Sequence, residues 1–215
     1  MIGRPRVHHA LTDSTNERAK ELAASGAVNG TLVTADEQSA GRGRQGREWV
    51  APARSAVLMS VLLREFDALL PLRAAVAAAE TCGSEEIKWP NDVWLGGRKV
   101  AGILVEGRPA EGWAVLGIGV NVVAVEFPAG LDAVALDDGR SVDAVLQALL
   151  VSLDRWLGAD DVLRAWRERD VLKGRGVSWG EGSGTAAGID DSGALLVDTA
   201  SGRTALQAGE VHLTL

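Results

Sequence analysis

Apolar positions first take on a helical rhythm after Asp13. Ala19, Leu22 and Ala23 form one stripe, Ser14 and Glu17 stand at capping-box spacing ahead of it, and Gly26 falls where a helix would end. Thr31 to Ala35 and Ser55 to Leu63 are continuous apolar runs of strand length. The stretch between them, Asp36 to Arg54, is polar and dense in glycine. A loop that long inside a compact domain is usually either functional or disordered. Leu70 to Thr81 is alanine-rich, with Pro71 in its first turn and Gly83 beyond its end, which predicts a helix. Ile87-Lys88-Trp89 reads as a short strand ended by Pro90; Val93 to Leu95 and Val100 to Glu106 flank the hairpin signal Gly96-Gly97, and Trp113 to Val123 is a further strand. Ser141 to Leu157 and Asp161 to Arg169 return to helical spacing. Beyond Lys173 the chain changes to short strands, Val177 to Trp179, Thr185 to Ile189, Ala194 to Asp198 and Val211 to Leu213, separated by turns such as Asp190-Asp191-Ser192-Gly193. The pattern predicts an α+β protein. Residues 1–170 form a mixed or antiparallel sheet flanked by helices, and residues 171–215 a small β-barrel-like module.

Composition narrows the function classes. With 215 residues, 47 % of them hydrophobic and 24 % charged, the chain is an ordinary globular sequence and not a disordered one. No apolar run approaches the ~20 residues of a membrane span, and the N-terminus has no apolar signal segment. The single cysteine, Cys82, excludes an internal disulfide and a multi-thiolate metal site, making the cytoplasm the default compartment. A net charge of -7 argues against broad, charge-driven nucleic-acid binding. There are 18 arginines but only four lysines, so a lysine inside an apolar segment stands out.

Three constellations carry candidate chemistry. In Gly41-Arg42-Gly43-Arg44-Gln45-Gly46-Arg47-Glu48-Trp49, glycines let the backbone bend while guanidinium groups converge, a pattern suited to phosphate or carboxylate. The alternative is a solvated basic loop or a small nucleic-acid contact. Lys88, in Lys88-Trp89-Pro90-Asn91-Asp92, points opposite to Ile87 and Trp89 on a strand. It either snorkels to solvent or enters a pocket as a point charge. Gly102, Gly117 and Gly119 lie within strands, where glycine marks close approach of a ligand or backbone, or else a bulge. His8, His9 and His212 lack metal-ligand spacing, and no Walker A or dinucleotide fingerprint occurs.

Taken in order, Asp13-Ser14-Thr15-Asn16, Gln38, the Gly-Arg-Gly-Arg loop ending in Trp49, Lys88-Trp89-Pro90-Asn91-Asp92, Lys99-Val100-Ala101-Gly102-Ile103-Leu104-Val105-Glu106 and Gly117-Ile118-Gly119-Val120-Asn121 resemble biotin protein ligase over about residues 12 to 215. The resemblance implies a class II synthetase-like catalytic fold with an SH3-like C-terminal domain. It also implies MgATP-dependent formation of biotinyl-5′-adenylate and transfer of biotin to a lysine of a biotin carboxyl carrier protein domain. By that resemblance Ser14, Thr15, Asn16, Gln38, Gly41, Arg42, Gly43, Arg44, Lys88, Gly102, Gly117 and Gly119 contact biotin or the adenylate. Arg42, Arg44, Arg47, Trp49, Lys88 and Asn121 serve ATP, with Trp49 stacking on adenine and Asn121 bonding the purine. Lys88, with Arg44, is the expected catalytic group. Arg47 has a second reading, ordering the loop by pairing with an acidic neighbour. The Mg²⁺ ligands are not indicated.

Bifunctional members of that family carry a DNA-binding domain before the Asp-Ser-Thr-Asn motif. Only twelve residues precede Asp13, so the expectation is a ligase without repressor activity and without DNA as a partner. The rivals are a lipoate or octanoate ligase, whose Arg-Arg-x-x-Gly-Gly-Gly signature is absent, and a nucleic-acid-binding module built on the arginine loop. An exposed edge of the central sheet leaves a monomer and a ligand-promoted homodimer both open.

Overall fold

A computed structural model describes residues 2–128 and 130–214. In chain order the larger, N-terminal part contains β1 (Arg6–His9), α1 (Thr15–Ala24), β2 (Leu32–Ala35), β3 (Ala56–Leu63), α2 (Leu70–Cys82), β4 (Glu86–Lys88), β5 (Asp92–Leu95), β6 (Arg98–Arg108), β7 (Trp113–Asn121), α3 (Val142–Trp156) and α4 (Val162–Arg167). The seven strands form one sheet ordered β1-β2-β3-β7-β6-β5-β4, antiparallel throughout except for the parallel β1–β2 pair.

Register explains which residues face which way. Leu58, Gly119 and Gly102 stand side by side across β3, β7 and β6; Ser60, Gly117 and Leu104 form the next row, then Leu62, Val115 and Glu106. The alternate residues, among them Val57, Met59, Val61, Leu116, Ile118 and Ile103, point to the other face and into the main core with α2 and α3. Helix α2 lies between the sheet and helices α3 and α4. Ala74, Ala75, Ala77, Ala78 and Ala79 are fully buried there, their small side chains permitting close approach on all sides. Gly83 ends α2 in the left-handed conformation at φ 62°. Glu80 ties α2 to α3 by accepting from Ser152 Oγ, Arg155 and the Trp156 indole N–H. On the opposite face, α1 covers only one end of the sheet, packing Ala19 and Ala23 against Val33, Leu62, Trp113 and Val115. The rest of that face is left for a cavity.

The C-terminal strands β8 (Gly176–Trp179), β9 (Gly182–Ile189), β10 (Leu195–Thr199), β11 (Gly202–Leu206) and β12 (His212–Leu213) form a five-stranded antiparallel sheet ordered β11-β10-β9-β8-β12. This corrects the barrel expectation: among the described residues the outer strands β11 and β12 do not pair, so the sheet is open. Its apolar face, including Val177, Ala186, Leu195 and Val197, joins the core of the larger sheet without a break. Ile87 on β4 pairs with the backbone of Arg169 and Val171, and Trp89 Nε1 donates to Gly193 O at 3.0 Å.

The capping box also fails to form. Ser14 is the N-cap, but its side chain makes no cap bond; the Asp13 carboxylate takes the Ser14 N–H at 2.7 Å, and Glu17 turns away to cations.

Candidate active site

The arginine loop is a tight hairpin folded over the open face. Trp49 N donates to Gly41 O at 3.0 Å and Gly43 N to Arg47 O at 2.7 Å. The turn is made by Gln45 at φ 54° and Gly46 at φ 75°, left-handed values that glycine accepts and a longer side chain tolerates with strain. At Gly41 a Cβ would lie 2.3 Å from the Trp49 carbonyl oxygen, so the neck of the hairpin admits no side chain.

Beneath the loop lies a cavity of about 980 Å³, mouth included. Of the residues singled out in the sequence, Ser14, Thr15, Asn16, Gln38, Arg42, Gly43, Arg44, Arg47, Trp49, Gly102, Gly117, Gly119 and Asn121 line it. Gly41 and Lys88 do not. The in-strand glycines have a definite steric role. A Cβ on Gly117 would sit 2.2 Å from Asn16 Oδ1, and one on Gly119 would sit 2.5 Å from the Trp49 indole. The glycines are the space that Asn16 and Trp49 occupy.

One end of the cavity is a dense hydrogen-bond network. Gln38 Oε1 accepts from the Thr15 N–H at 2.7 Å and its hydroxyl at 3.1 Å. Ser60 Oγ, fully buried, lies 2.8 Å from Thr15 Oγ1 and 2.5 Å from Asn16 Oδ1. Asn16 Nδ2 donates to Glu106, whose carboxyl is held below its ordinary range; burial works against this, and the Asn16 and Lys20 hydrogen bonds outweigh it. Ser14, Thr15 and Asn16 are themselves buried. Polar groups so fixed offer a ligand preoriented partners.

The other end is cationic. Lys99 reaches the cavity wall, 5.6 Å from the centre of the Trp49 ring and ion-paired with Asp92 at 2.6 Å. Arg44 donates to Asn91 Oδ1 at 3.3 Å, and burial lowers its pKa, with Asp92 pulling the other way. Arg47 pairs at 2.7 Å with Glu210, in the segment between β11 and β12. Lys88 stands outside the wall, half-buried, its Nζ 5.6 Å from the centre of the Trp94 ring. Burial lowers its pKa, partly offset by Asp92 and Glu210.

Lys99 was quoted in the sequence motif but given no role, for a reason visible in the register. Val93 faces Ala101 while Trp94 faces Lys99, so Val100 is an extra residue, a β-bulge in β6. Strict alternation from Gly102 would turn Lys99 to the core face. The bulge reverses it and brings the Lys99 ammonium against Gly102, where an added Cβ would lie 3.1 Å from Nζ. Asn91 lines the cavity as well, and so do Leu58, Leu104 and Phe127, which the sequence did not single out. Asn121 bonds Val134 O through Nδ2, leaving its Oδ1 as the acceptor on this wall.

An arginine hairpin over a deep cavity, polar at one end and cationic at the other, defines a site for a small molecule carrying an anionic group. Residues 9–122 match the biotin/lipoate A/B protein ligase family, and the chain belongs to it. Residues 180–213 match the biotin protein ligase C-terminal domain. The biotin–[acetyl-CoA-carboxylase] ligase of Paracoccus denitrificans is 37 % identical over 236 aligned residues, covering 94 % of this chain and 98 % of that protein. The Mycobacterium tuberculosis ligase of the same name is 34 % identical, covering 95 % and 87 %. Among solved structures, the biotin protein ligase from Aquifex aeolicus in complex with biotin and ATP superposes with a TM-score of 0.82 at 29 % identity, covering 98 % and 99 % of the two chains.

Proposed function

We propose that this chain activates biotin with ATP and transfers it to a lysine of a biotin carboxyl carrier protein domain. The observation that carries this reading is the cavity in which Lys99 and the arginine hairpin face the hydrogen-bond network of Thr15, Asn16 and Gln38. In the first step a biotin carboxylate oxygen attacks the α-phosphorus of ATP, forming the acyl-phosphate bond as pyrophosphate leaves. In the second, the acceptor amine attacks the acyl carbon and AMP leaves. Both need negative charge offset and water excluded, and neither needs a covalent nucleophile from the enzyme.

In this reading Ser14, Thr15, Asn16 and Gln38 hold the polar head of biotin against Gly117, while Trp49 and Asn121 receive the adenine. Arg42 and Arg44 face the biotin carboxylate and the α-phosphate it attacks, and Arg47 the remaining phosphates, with Gly41 and Gly43 shaping the hairpin that carries them. The role first given to Lys88 passes to Lys99, the lysine on the wall. Lys88 contributes charge from behind it, through the group it shares with Asp92 and Glu210. Magnesium would neutralise phosphate charge. No cluster of three or more His, Cys, Asp or Glu occurs among the described residues. An ion brought in on the nucleotide usually needs only one or two carboxylates, and Asp92, paired with Lys99, and Glu48, on the cavity wall, are the carboxylates that would hold it.

The acceptor, a cytoplasmic setting and the assembly state belong to the same proposal. No described helix is long and apolar enough to cross a membrane. Because residues 169–171 cover the outer edge of β4, a homodimer formed by sheet extension would use β1.

The test is biotin-dependent exchange of labelled pyrophosphate into ATP, with lipoate and octanoate in parallel. Exchange with biotin alone is the expected result. Exchange with either fatty acid instead would move the substrate to the lipoate side of the family, and no exchange from protein that binds biotin would overturn the catalytic reading.

A further inference from the structure

Glu17 stands at the helix position from which a glutamate normally reaches back to its cap. Asp13 occupies that place, and the Glu17 carboxylate is released toward the arginine loop. Its Oε1 lies 2.6 Å from Lys20 Nζ and 2.8 Å from Arg42 Nη1. This oxygen is sealed from solvent, yet neither cation meets it with hydrogen-bond alignment. The contact is therefore one of charge, set by packing. Lys20 continues the row to Glu106 at 3.1 Å, and Glu106 accepts from Asn16. Arg42, Glu17, Lys20 and Glu106 alternate in sign and sum to zero, and the row meets the cavity at both ends, through Arg42 and Asn16.

Each arginine of the hairpin has its own anchor: Glu17 for Arg42, Asn91 for Arg44 and Glu210 for Arg47. Glu17 meets Arg42 at Nη1, and among the described residues no hydrogen bond claims the other donors of that rigid five-donor fork. We propose that Glu17 is a positioning residue: by holding one corner of the Arg42 guanidinium it presents the other donors to the anionic end of the ligand. The inference rests on the adenylating function above and adds a residue that does not line the cavity.

The experiment is a double-mutant cycle of Glu17→Gln and Arg42→Ala, read by biotin affinity in calorimetry and by KM and kcat in pyrophosphate exchange. Glu17→Gln should raise the biotin Kd and KM by about 10-fold while kcat changes less than about threefold. Its melting temperature should stay within about 2 °C of the parent, because glutamine keeps the shape of the side chain and the ion pair it loosens is partly exposed. In the Arg42→Ala background the same change should add less than about twofold, because Glu17 acts through Arg42. An equal effect in both backgrounds would overturn the proposal, as would no effect at all. Tighter biotin binding by Glu17→Gln would also overturn it, showing that Glu17 competes with the ligand for Arg42. Calorimetry keeps the questions separate: a parent that binds biotin but shows no exchange fails as an adenylating enzyme while the Glu17 cycle still reads out.

Discussion

Along β3, Val57, Met59, Val61 and Leu63 lie in the main core, while Leu58 and Ser60, set between them, look into the cavity or its hydrogen-bond network. Strand β7 does the same with Leu116, Ile118 and Val120 on one face and Gly117, Gly119 and Asn121 on the other. The faces use opposite materials. The core face is filled with branched side chains against alanine-rich α2, and the cavity face is stripped to glycine so that Asn16 and Trp49 can lie on the sheet. Stability and ligand binding are thus interleaved residue by residue on the same strands, separated only by the two-residue period.

The largest effect should come from the cavity face. Lys99→Ala is expected to lower kcat for pyrophosphate exchange by about 10³-fold, roughly 4 kcal/mol, with little change in melting temperature. Lys88→Ala should cost less than about 10-fold, and a larger loss for Lys88 than for Lys99 would return the catalytic role to the former. On the core face, Leu116→Ala should cost about 3 kcal/mol in denaturant unfolding, a fall of roughly 10 °C in melting temperature, with exchange kinetics at 20 °C nearly unchanged. Its neighbour Gly117→Ala should show the reverse. Overpacking against an Asn16 held by Ser60 and Glu106 should weaken biotin binding at least about 10-fold, and cost only about 1–2 kcal/mol of stability. Comparable stability losses for the two variants would break the division between the faces. The smallest effect belongs to Cys82 at the end of α2. Burial pushes its thiol up to about 12, so at pH 8 it stays protonated and should resist alkylation until the protein is unfolded in denaturant.

Much of this was legible in the chain because the signals were local. Strand β3 is a continuous apolar run, α2 carries both of its end markers, and Gly96-Gly97 marks the β5–β6 hairpin. Strands β1 and β11 went unread. Each lies at a sheet edge, and Arg6–His9 and Gly202–Leu206 bury almost no side-chain surface. They are held by backbone pairing, which leaves no mark in a hydrophobic pattern. Lys99 was hidden by the bulge at Val100, since a one-residue shift of register exchanges the faces of everything beyond it. The open C-terminal sheet and the Arg47–Glu210 pair depend on how distant segments meet, which spacing along the chain does not encode.

The continuity of the core across both sheets has a consequence for proteolysis. Asp138 and Gly139 form an exposed turn just before α3, where a protease can reach the backbone. A cut there severs one covalent link. The contacts of α2 with α3, the pairing of Ile87 with Val171 and the bond from Trp89 to Gly193 all still join the two pieces. The nicked protein should therefore elute as a single intact particle on gel filtration and reveal its two fragments only in a denaturing gel.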